Sequence, residues 1–87
     1  MSGVETLRNL GPRSVDLLAE VGITTVEQLH ELGSVEAYRR LKFAFGKRVS
    51  LNMLWAMEAG LRDMHWKYLT PADKEKLLNA LDSNPTS

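Results

Sequence analysis

The sequence predicts an all-α domain of five or six short helices. Apolar residues recur at helical spacing in several segments, and no segment alternates polar and apolar residues over the length of a strand. Glycine and proline separate these segments at short intervals, which favours short helices. With 87 residues and 44% hydrophobic content, the chain can form one domain around one core. We therefore expect a single helical domain over residues 1–82 and a flexible tail over residues 83–87.

The first two predicted helices are separated by a sharp turn. Val4–Asn9 has the pattern of a short helix, and the chain can turn at Asn9 and Gly11 because both residue types tolerate positive φ. Pro12 is well placed to begin the next helix, since the first helical position needs no backbone N–H. Gly22 then predicts its end.

Further polar and glycine residues mark the next two helices. Ile23 is predicted to be a buried link between helices. Thr24, followed by Glu27 three residues later, has the spacing of a capping box for a third helix, which Gly33 ends. Ser34 is the expected N-cap of a fourth helix, whose apolar residues lie on one face.

The segment Ser50–Met64 is predicted to be the helix around which the others pack. Leucine, methionine and tryptophan occupy most of its circumference, and its first residue, a serine, is a natural N-cap. Glu58 falls on the narrow polar edge and is expected to be solvated. His65 is expected to interact with the C-terminal end of the helix. Thr70–Asp73, with proline second and an acid fourth, predicts the start of the last helix.

Charge is balanced overall but unevenly distributed along the chain. Eleven basic and eleven acidic side chains give a formal net charge of zero, so composition alone does not indicate a nucleic-acid-binding protein. Residues 39–48, however, contain five basic and no acidic residues, and such a segment can contact phosphate locally. Within it, Arg39, Arg40 and Lys42 form a secondary basic face. A solvated helix surface explains these three residues equally well.

The turn that leads into Pro12 is the main candidate binding site. A tight turn into a helix N-terminus leaves backbone amides near Gly11 and Arg13 without intrahelical partners, and the helix dipole favours an anion there. The Arg13 guanidinium and the Ser14 hydroxyl add charge and a donor, and Asn9 belongs to the same turn. The alternative is a compact helix corner with a structural role only.

Residues 7–29, L-R-N-L-G-P-R-S-V-D-L-L-A-E-V-G-I-T-T-V-E-Q-L, resemble a helix-hairpin-helix unit followed by its connecting helix. Arg13 and its apolar neighbours are similar to the C-terminal domain of the bacterial RNA polymerase alpha subunit, in which the equivalent arginine contacts DNA. The second hairpin of that domain carries Gly-Lys and then Ser, which Gly46, Lys47 and Ser50 resemble with one residue more between them. Turn geometry, local charge and this resemblance together give the predicted phosphate contacts: Asn9, Gly11, Arg13, Ser14, Gly46, Lys47 and Arg48. Asp16 stands where the polymerase domain has a neutral amide, and a carboxylate there would repel phosphate.

Four longer blocks extend the resemblance to nearly the whole chain. They are similar to the C-terminal domain of the TfoX/Sxy family of competence regulators. The blocks read L-R-N-L-G-P-R-S, E-V-G-I-T-T-V-E-Q-L, G-S-V-E-A-Y-R-R-L-K and S-L-N-M-L-W-A-M-E-A-G-L-R-D-M-H-W. Family members join this domain to an N-terminal one and regulate DNA uptake and transcription. The resemblance implies a bacterial regulatory module whose partners are DNA, a transcription regulator, the polymerase or a separate TfoX N-terminal domain.

The sequence indicates neither an enzyme nor a metal or cofactor site. His30 and His65 have no histidine, cysteine or paired acid at ligand spacing, and the serines at helix starts lack a base partner. Cysteine is absent, so disulfides and thiolate metal sites are excluded. No charged-then-apolar leader and no run of eighteen apolar residues is present. We expect a cytoplasmic monomer or homodimer without membrane contact.

Two functional hypotheses follow. In the first, the domain is a DNA-contacting regulator that holds the phosphate backbone and reads little sequence. In the second, it is a protein-interaction module that docks on a transcription regulator or polymerase, and the hairpin is only architecture. The match at Arg13 favours the first hypothesis, and the neutral charge favours the second.

Overall fold

The structure is a computed structural model that describes residues 3–7 and 9–82, apart from the side chains of Glu5 and Asp82. In these ranges it contains five α-helices and three single 3-10 turns. The helices are α1 (Pro12–Glu20), α2 (Val26–Leu32), α3 (Ser34–Phe45), α4 (Leu51–Leu61) and α5 (Pro71–Asp82), and the turns are Val4–Thr6, Gly46–Arg48 and Trp66–Tyr68. The described residues also contain one isolated antiparallel β-bridge, between Gly3 and Thr25. The all-α prediction is confirmed, and the predicted tail, residues 83–87, lies outside the described residues.

Two helices share the central position that the sequence assigns to one. The α4 helix is the most apolar, and its buried residues lie on several sides: Met53, Leu54, Trp55, Met57, Ala59 and Gly60. The α3 helix packs against α1, α2, α4 and α5. Its buried positions, Ser34, Ala37, Tyr38 and Leu41, form one stripe at helical spacing. The domain is therefore organised around the α3–α4 pair.

Every helix contributes to a single core. The side chains with at most 1% exposure include Leu18 of α1, Leu29 of α2, Leu41 of α3 and Leu54 of α4, and α5 adds Leu77 at 8%. Across the described residues, no helix combines the length and the hydrophobicity needed to cross a membrane.

The end of α1 agrees with the sequence prediction. Gly22 has φ of +83°, which a glycine adopts without steric cost. Its amide donates to the Ala19 carbonyl at 3.0 Å, and the Ile23 amide donates to the Leu18 carbonyl at 2.9 Å. These are the two hydrogen bonds of a Schellman motif. They place Ile23 in the core with 1% exposure, as predicted.

The capping box of α2 lies one residue later than predicted. Thr25, not Thr24, is the N-cap, and its hydroxyl accepts from the Gln28 amide at 3.1 Å. The Gln28 side chain accepts in return from the Thr25 amide at 3.1 Å. The Thr24 carbonyl accepts instead from the Val4 amide at 3.1 Å.

The predicted helix Val4–Asn9 is shorter than expected. In the structure it is only the 3-10 turn Val4–Thr6.

The start of α3 and the polar edge of α4 correct two further predictions. Gly33, with φ of +83°, ends α2 and is also the N-cap of α3, so Ser34 is the first helical residue and not the cap. The Ser34 hydroxyl donates to Glu58 Oε1 at 2.6 Å, and Arg62 Nε donates to Glu58 Oε2 at 2.7 Å. The Glu58 side chain is only 18% exposed. It joins α3 to α4 and is not a solvated side chain.

The C-terminal end of α4 also differs from its prediction. The helix ends at Leu61, and Asp63 with φ of +55° turns the chain. The prediction for His65 is wrong, because this residue caps the turn Trp66–Tyr68 and its Nδ1 accepts from the Lys67 amide at 3.2 Å.

The predicted start of α5 is confirmed. The Asp73 amide donates to the Thr70 hydroxyl at 3.1 Å, and the Thr70 amide donates to Asp73 Oδ2 at 3.2 Å. These two hydrogen bonds form a capping box with Pro71 as the first helical residue. Arg62 Nη1 lies 3.2 Å from Asp73 Oδ1 and so links the end of α4 to this cap.

Candidate nucleic-acid interface

Asn9 fixes the turn that precedes α1. It has φ of +73°, as its residue type permits. Its Nδ2 donates to the Met64 carbonyl at 3.0 Å, and its Oδ1 accepts from the Trp66 amide at 3.2 Å. We call this pair of hydrogen bonds the Asn9 clip. Because the clip uses both polar atoms of the side chain, it gives Asn9 a positioning role between the turn and residues 64–66.

The N-terminus of α1 faces solvent. Leu10 is buried, whereas Gly11 and Arg13 are exposed and Ser14 is half-buried. The amides of Gly11, Arg13 and Ser14 have no hydrogen-bond acceptor among the described residues. The first turn contains no acid, and within the same part of the chain Arg13 forms no ion pair. Gly11 has φ of −81°, so the turn uses positive φ at Asn9 alone.

Arg13 and Ser14 line a cleft of about 390 Å³ that separates the starts of α1 and α4. The end of the turn Gly46–Arg48 and the start of α4 contribute Arg48 and Ser50 to the same cleft. Ser50 is the N-cap of α4, with no hydrogen bond from its side chain, and the first turn of α4 also lacks an acid. The described residues that line the cleft are Asn9, Arg13, Ser14, Leu17, Arg48, Val49, Ser50, Asn52, Met53, Trp55, Ala56 and Trp66.

The electrostatics of this cleft suit an anion. Among the described residues, its lining contains two arginines and no carboxylate. The lining includes Arg13 and Ser14 from the first turn of α1, and Ser50 and Asn52 from the start of α4. The positive end of each helix dipole therefore lies near the cleft. Asp16 is exposed and does not belong to the lining, so the carboxylate expected to repel phosphate lies outside the cleft.

The structure brings together only part of the predicted site. One cleft is lined by Asn9, Arg13, Ser14 and Arg48. The first three lie more than thirty residues before Arg48 in the chain. Gly11 is exposed at the adjacent turn. Gly46 and Lys47 belong to the turn Gly46–Arg48 without lining the cleft. The Arg48 guanidinium lies 5.4 Å from the centre of the Phe45 ring, at the distance of a cation–π contact.

The secondary basic face lies elsewhere and is largely occupied by intramolecular contacts. Arg39 Nη2 donates to the Ala80 carbonyl at 2.7 Å, at the end of α5. Lys42 Nζ donates to the Val49 carbonyl at 2.7 Å. Arg40 Nε lies 3.6 Å from Glu36 Oε2. These contacts make Arg39 and Lys42 parts of the helix packing.

The cleft also contains Asn52 and Trp66, which the sequence did not assign to the phosphate site. Asn52 lies in the first turn of α4, and Trp66 lies in a turn beyond the end of α4. Trp66 is 47% exposed. No local pattern relates Trp66 to the turn before α1, because the hydrogen bond from its amide to Asn9 spans more than fifty residues.

The family of this chain is shown by a match over nearly its whole length. Residues 1–81 match the TfoX C-terminal domain. The chain belongs to the TfoX C-terminal domain family. The predicted resemblance to the C-terminal domain of TfoX/Sxy proteins is thereby confirmed.

Two curated relatives differ in how much of their length this TfoX domain covers. The DNA transformation protein TfoX of Haemophilus influenzae is 32% identical over 82 residues, which are 94% of this chain and 37% of the relative. The mitomycin resistance protein McrB of Streptomyces lavendulae is 34% identical over 87% of this chain and 78% of the relative. The chain therefore spans little more than a third of that TfoX protein.

Solved structures share the fold. A crystal structure of an uncharacterized protein from Listeria monocytogenes has a TM-score of 0.84 and 28% sequence identity, covering 94% of this chain and 92% of that one. A tetragonal crystal form of a protein of unknown function from the same organism has a TM-score of 0.82 and 29% identity, covering 91% of this chain and 96% of that one.

Proposed function

We propose that this TfoX C-terminal domain is a non-enzymatic regulatory module that binds the phosphate backbone of DNA in the cleft between the starts of α1 and α4. The observation that carries the proposal is the convergence of Arg13 and Arg48 with two helix N-termini on one cleft without a carboxylate. Helix N-termini and arginines are the groups that proteins commonly use to hold phosphate.

The character of the contacts indicates weak binding with little sequence reading. Backbone amides and arginines that contact phosphates position a protein on DNA, whereas base edges supply sequence information. A neutral domain has no long-range attraction for DNA beyond this local site. The affinity is therefore expected to depend on salt through only a few phosphate contacts.

The name of one relative agrees with a role near DNA. The Haemophilus influenzae relative is a DNA transformation protein, and we extend a part in competence or transcription regulation to this chain on that basis. Such a regulator meets DNA in the cytoplasm, where we place it. The described residues contain no cluster of metal-ligating side chains, and the proposal requires no cofactor.

A titration with labelled DNA tests the proposal. Fluorescence anisotropy with a short duplex is measured over a series of salt concentrations for the wild type, Arg13→Ala and Arg48→Ala. Each variant is expected to bind more weakly and to lower the slope of log affinity against log salt by about one. Lys76→Ala is the matched control, because it removes one positive charge from an exposed side chain on α5 that does not line the cleft. Equal loss in Lys76→Ala and Arg13→Ala, or no loss in Arg13→Ala, contradicts the proposal.

A second candidate function rests on a different surface. Phe43 on α3 is 94% exposed, which is unusual for a large apolar side chain, and Arg40 is its exposed neighbour. This surface fits docking on a transcription regulator, the polymerase or a separate TfoX N-terminal domain. Calorimetric titration with a purified TfoX N-terminal domain tests it: Phe43→Ser should abolish the heat of binding that wild type gives, while Arg13→Ala retains it. Equal heats for wild type and Phe43→Ser contradict this role.

A further inference from the structure

The exposed ring of Trp66 adds a second kind of contact to the cleft. Trp66 lines the same cleft as Arg13 and Arg48 and is 47% exposed, whereas Trp55, the other tryptophan in the lining, is 8% exposed. A large aromatic surface left partly open beside two arginines is the combination with which proteins hold unpaired nucleotides. The bases stack on the ring and the phosphates lie against the cations.

The backbone that carries the Trp66 ring is held by two hydrogen bonds. Its amide donates to Asn9 Oδ1 at 3.2 Å, as part of the Asn9 clip, and its carbonyl accepts from the Leu69 amide at 3.1 Å. The His65 ring lies beside the Trp66 ring, with 5.8 Å between ring centroids and 31° between planes. Because the backbone is already ordered, stacking of a base needs to order only the side chain, which lowers the entropic cost of binding.

The exposed aromatic surface continues along the same turn. Tyr68 is 63% exposed, and its ring lies edge-on to His65 with centroids 6.4 Å apart. Lys67 Nζ lies 5.4 Å from the centre of the Tyr68 ring. The turn Trp66–Tyr68 therefore presents aromatic rings and a cation side by side, next to the cleft that holds Arg13.

We infer that the cleft is a site for single-stranded DNA, in which an unpaired base stacks on Trp66 while its flanking phosphates lie against Arg13 and Arg48. This inference rests on the phosphate-binding function proposed above and names its ligand class. Paired bases in a duplex are stacked on one another and do not offer a face to a ring at the wall of a cleft. Because every base has a π-face, the site is tolerant of sequence.

The test compares an oligothymidylate with a blunt duplex of equal length by fluorescence anisotropy. Wild type is expected to bind the single strand about tenfold more tightly than the duplex. Trp66→Ala should lose about tenfold in affinity for the single strand and leave duplex affinity unchanged, and Trp66→Phe should retain most of the affinity because it keeps an aromatic face. Arg13→Ala should weaken both ligands, since it removes a phosphate contact that both share.

A spectroscopic readout separates stacking from a structural effect. Stacking should quench the tryptophan emission of wild type on addition of the oligothymidylate, and Trp66→Phe, whose remaining tryptophan is only 8% exposed, should show much weaker quenching. Circular dichroism spectra that match wild type confirm that the variants are folded.

Equal affinity of wild type for the two ligands, or an equal loss in Trp66→Ala for both, overturns the inference while the phosphate site stands. Failure of Arg13→Ala to weaken either ligand overturns the phosphate site itself. Absence of binding to both ligands overturns the two together.

Discussion

Replacement of Asn9 tests how the turn before α1 is held against the rest of the domain. The structure gives Asn9 two hydrogen bonds, to the Met64 carbonyl and from the Trp66 amide, and a φ of +73°. Asn9→Gly removes both hydrogen bonds and keeps the left-handed conformation accessible. At about 0.5–1.5 kcal/mol for each bond, it should destabilise the domain by about 1–3 kcal/mol. Asn9→Ala adds the cost of positive φ for a residue with a Cβ and should lose about 1 kcal/mol more.

Urea unfolding followed by the emission of buried Trp55 measures both variants against wild type. The midpoints should fall in the order wild type, Asn9→Gly, Asn9→Ala, with unchanged slopes. The difference between the two variants measures the cost of a Cβ at positive φ. The difference between the glycine variant and wild type combines the two hydrogen bonds with the greater freedom of glycine in the unfolded chain. If the Asn9→Gly variant is as stable as wild type, the Asn9 clip contributes nothing to stability. An alanine variant as stable as the glycine variant would show that positive φ is not maintained there.

Three further predictions concern the core, the polar link between helices and acid stability. Leu54→Ala should destabilise the domain by about 2–5 kcal/mol in urea unfolding, whereas Phe43→Ala, at an exposed site, should stay within about 0.5 kcal/mol of wild type. Ser34→Ala should cost about 1–3 kcal/mol in the same assay, because it leaves Glu58 with one hydrogen-bond donor fewer in a partly buried place. The hydrogen bond from the Thr70 amide, with the Arg62 guanidinium nearby, lowers the pKa of the Asp73 carboxyl. The ionised carboxyl therefore stabilises the fold above the pKa that Asp73 has in the unfolded chain, and this stabilisation is lost as pH falls through the lower folded pKa. The urea midpoint of Asp73→Asn should consequently decrease less between neutral and acid pH than that of wild type. A decrease as large as that of wild type contradicts the assignment.

The helix pattern was predictable from local signals, and the errors lie where two local patterns compete. Thr24 with Glu27 and Thr25 with Gln28 both have the spacing of a capping box. Thr25 is the N-cap because the Thr24 carbonyl already accepts a hydrogen bond from the Val4 amide, twenty residues earlier in the chain. Such a contact between distant residues leaves no trace in the local sequence.

The polar edge of α4 shows the same limit. Helical spacing places Glu58 on the least apolar side of its helix, which predicts a surface carboxylate. The first turn of α3 packs there, so that Ser34 and Arg62 surround it. Which side of a mainly apolar helix faces solvent depends on the packing of its neighbours, which periodicity does not encode.

The candidate cleft was predictable in its parts but not in its assembly. The resemblance of the two hairpins to known domains indicates Arg13 and Arg48 separately, and the structure places both on one cleft. Trp66 was missed because it comes near Arg13 only through the turn after α4 and the Asn9 clip. The prediction that these residues contact nucleic acid stays a prediction until binding is measured.

A nitrogen–proton correlation NMR titration with a short DNA oligonucleotide tests the central claim most directly, because it locates the ligand on the fold. The amide signals of Gly11, Arg13, Ser14 and Asn52 are predicted to shift progressively with added DNA, while those of α5 stay in place. Shifts concentrated around Phe43, or no shifts at concentrations well above those of the protein, would contradict a phosphate-binding cleft at the starts of α1 and α4.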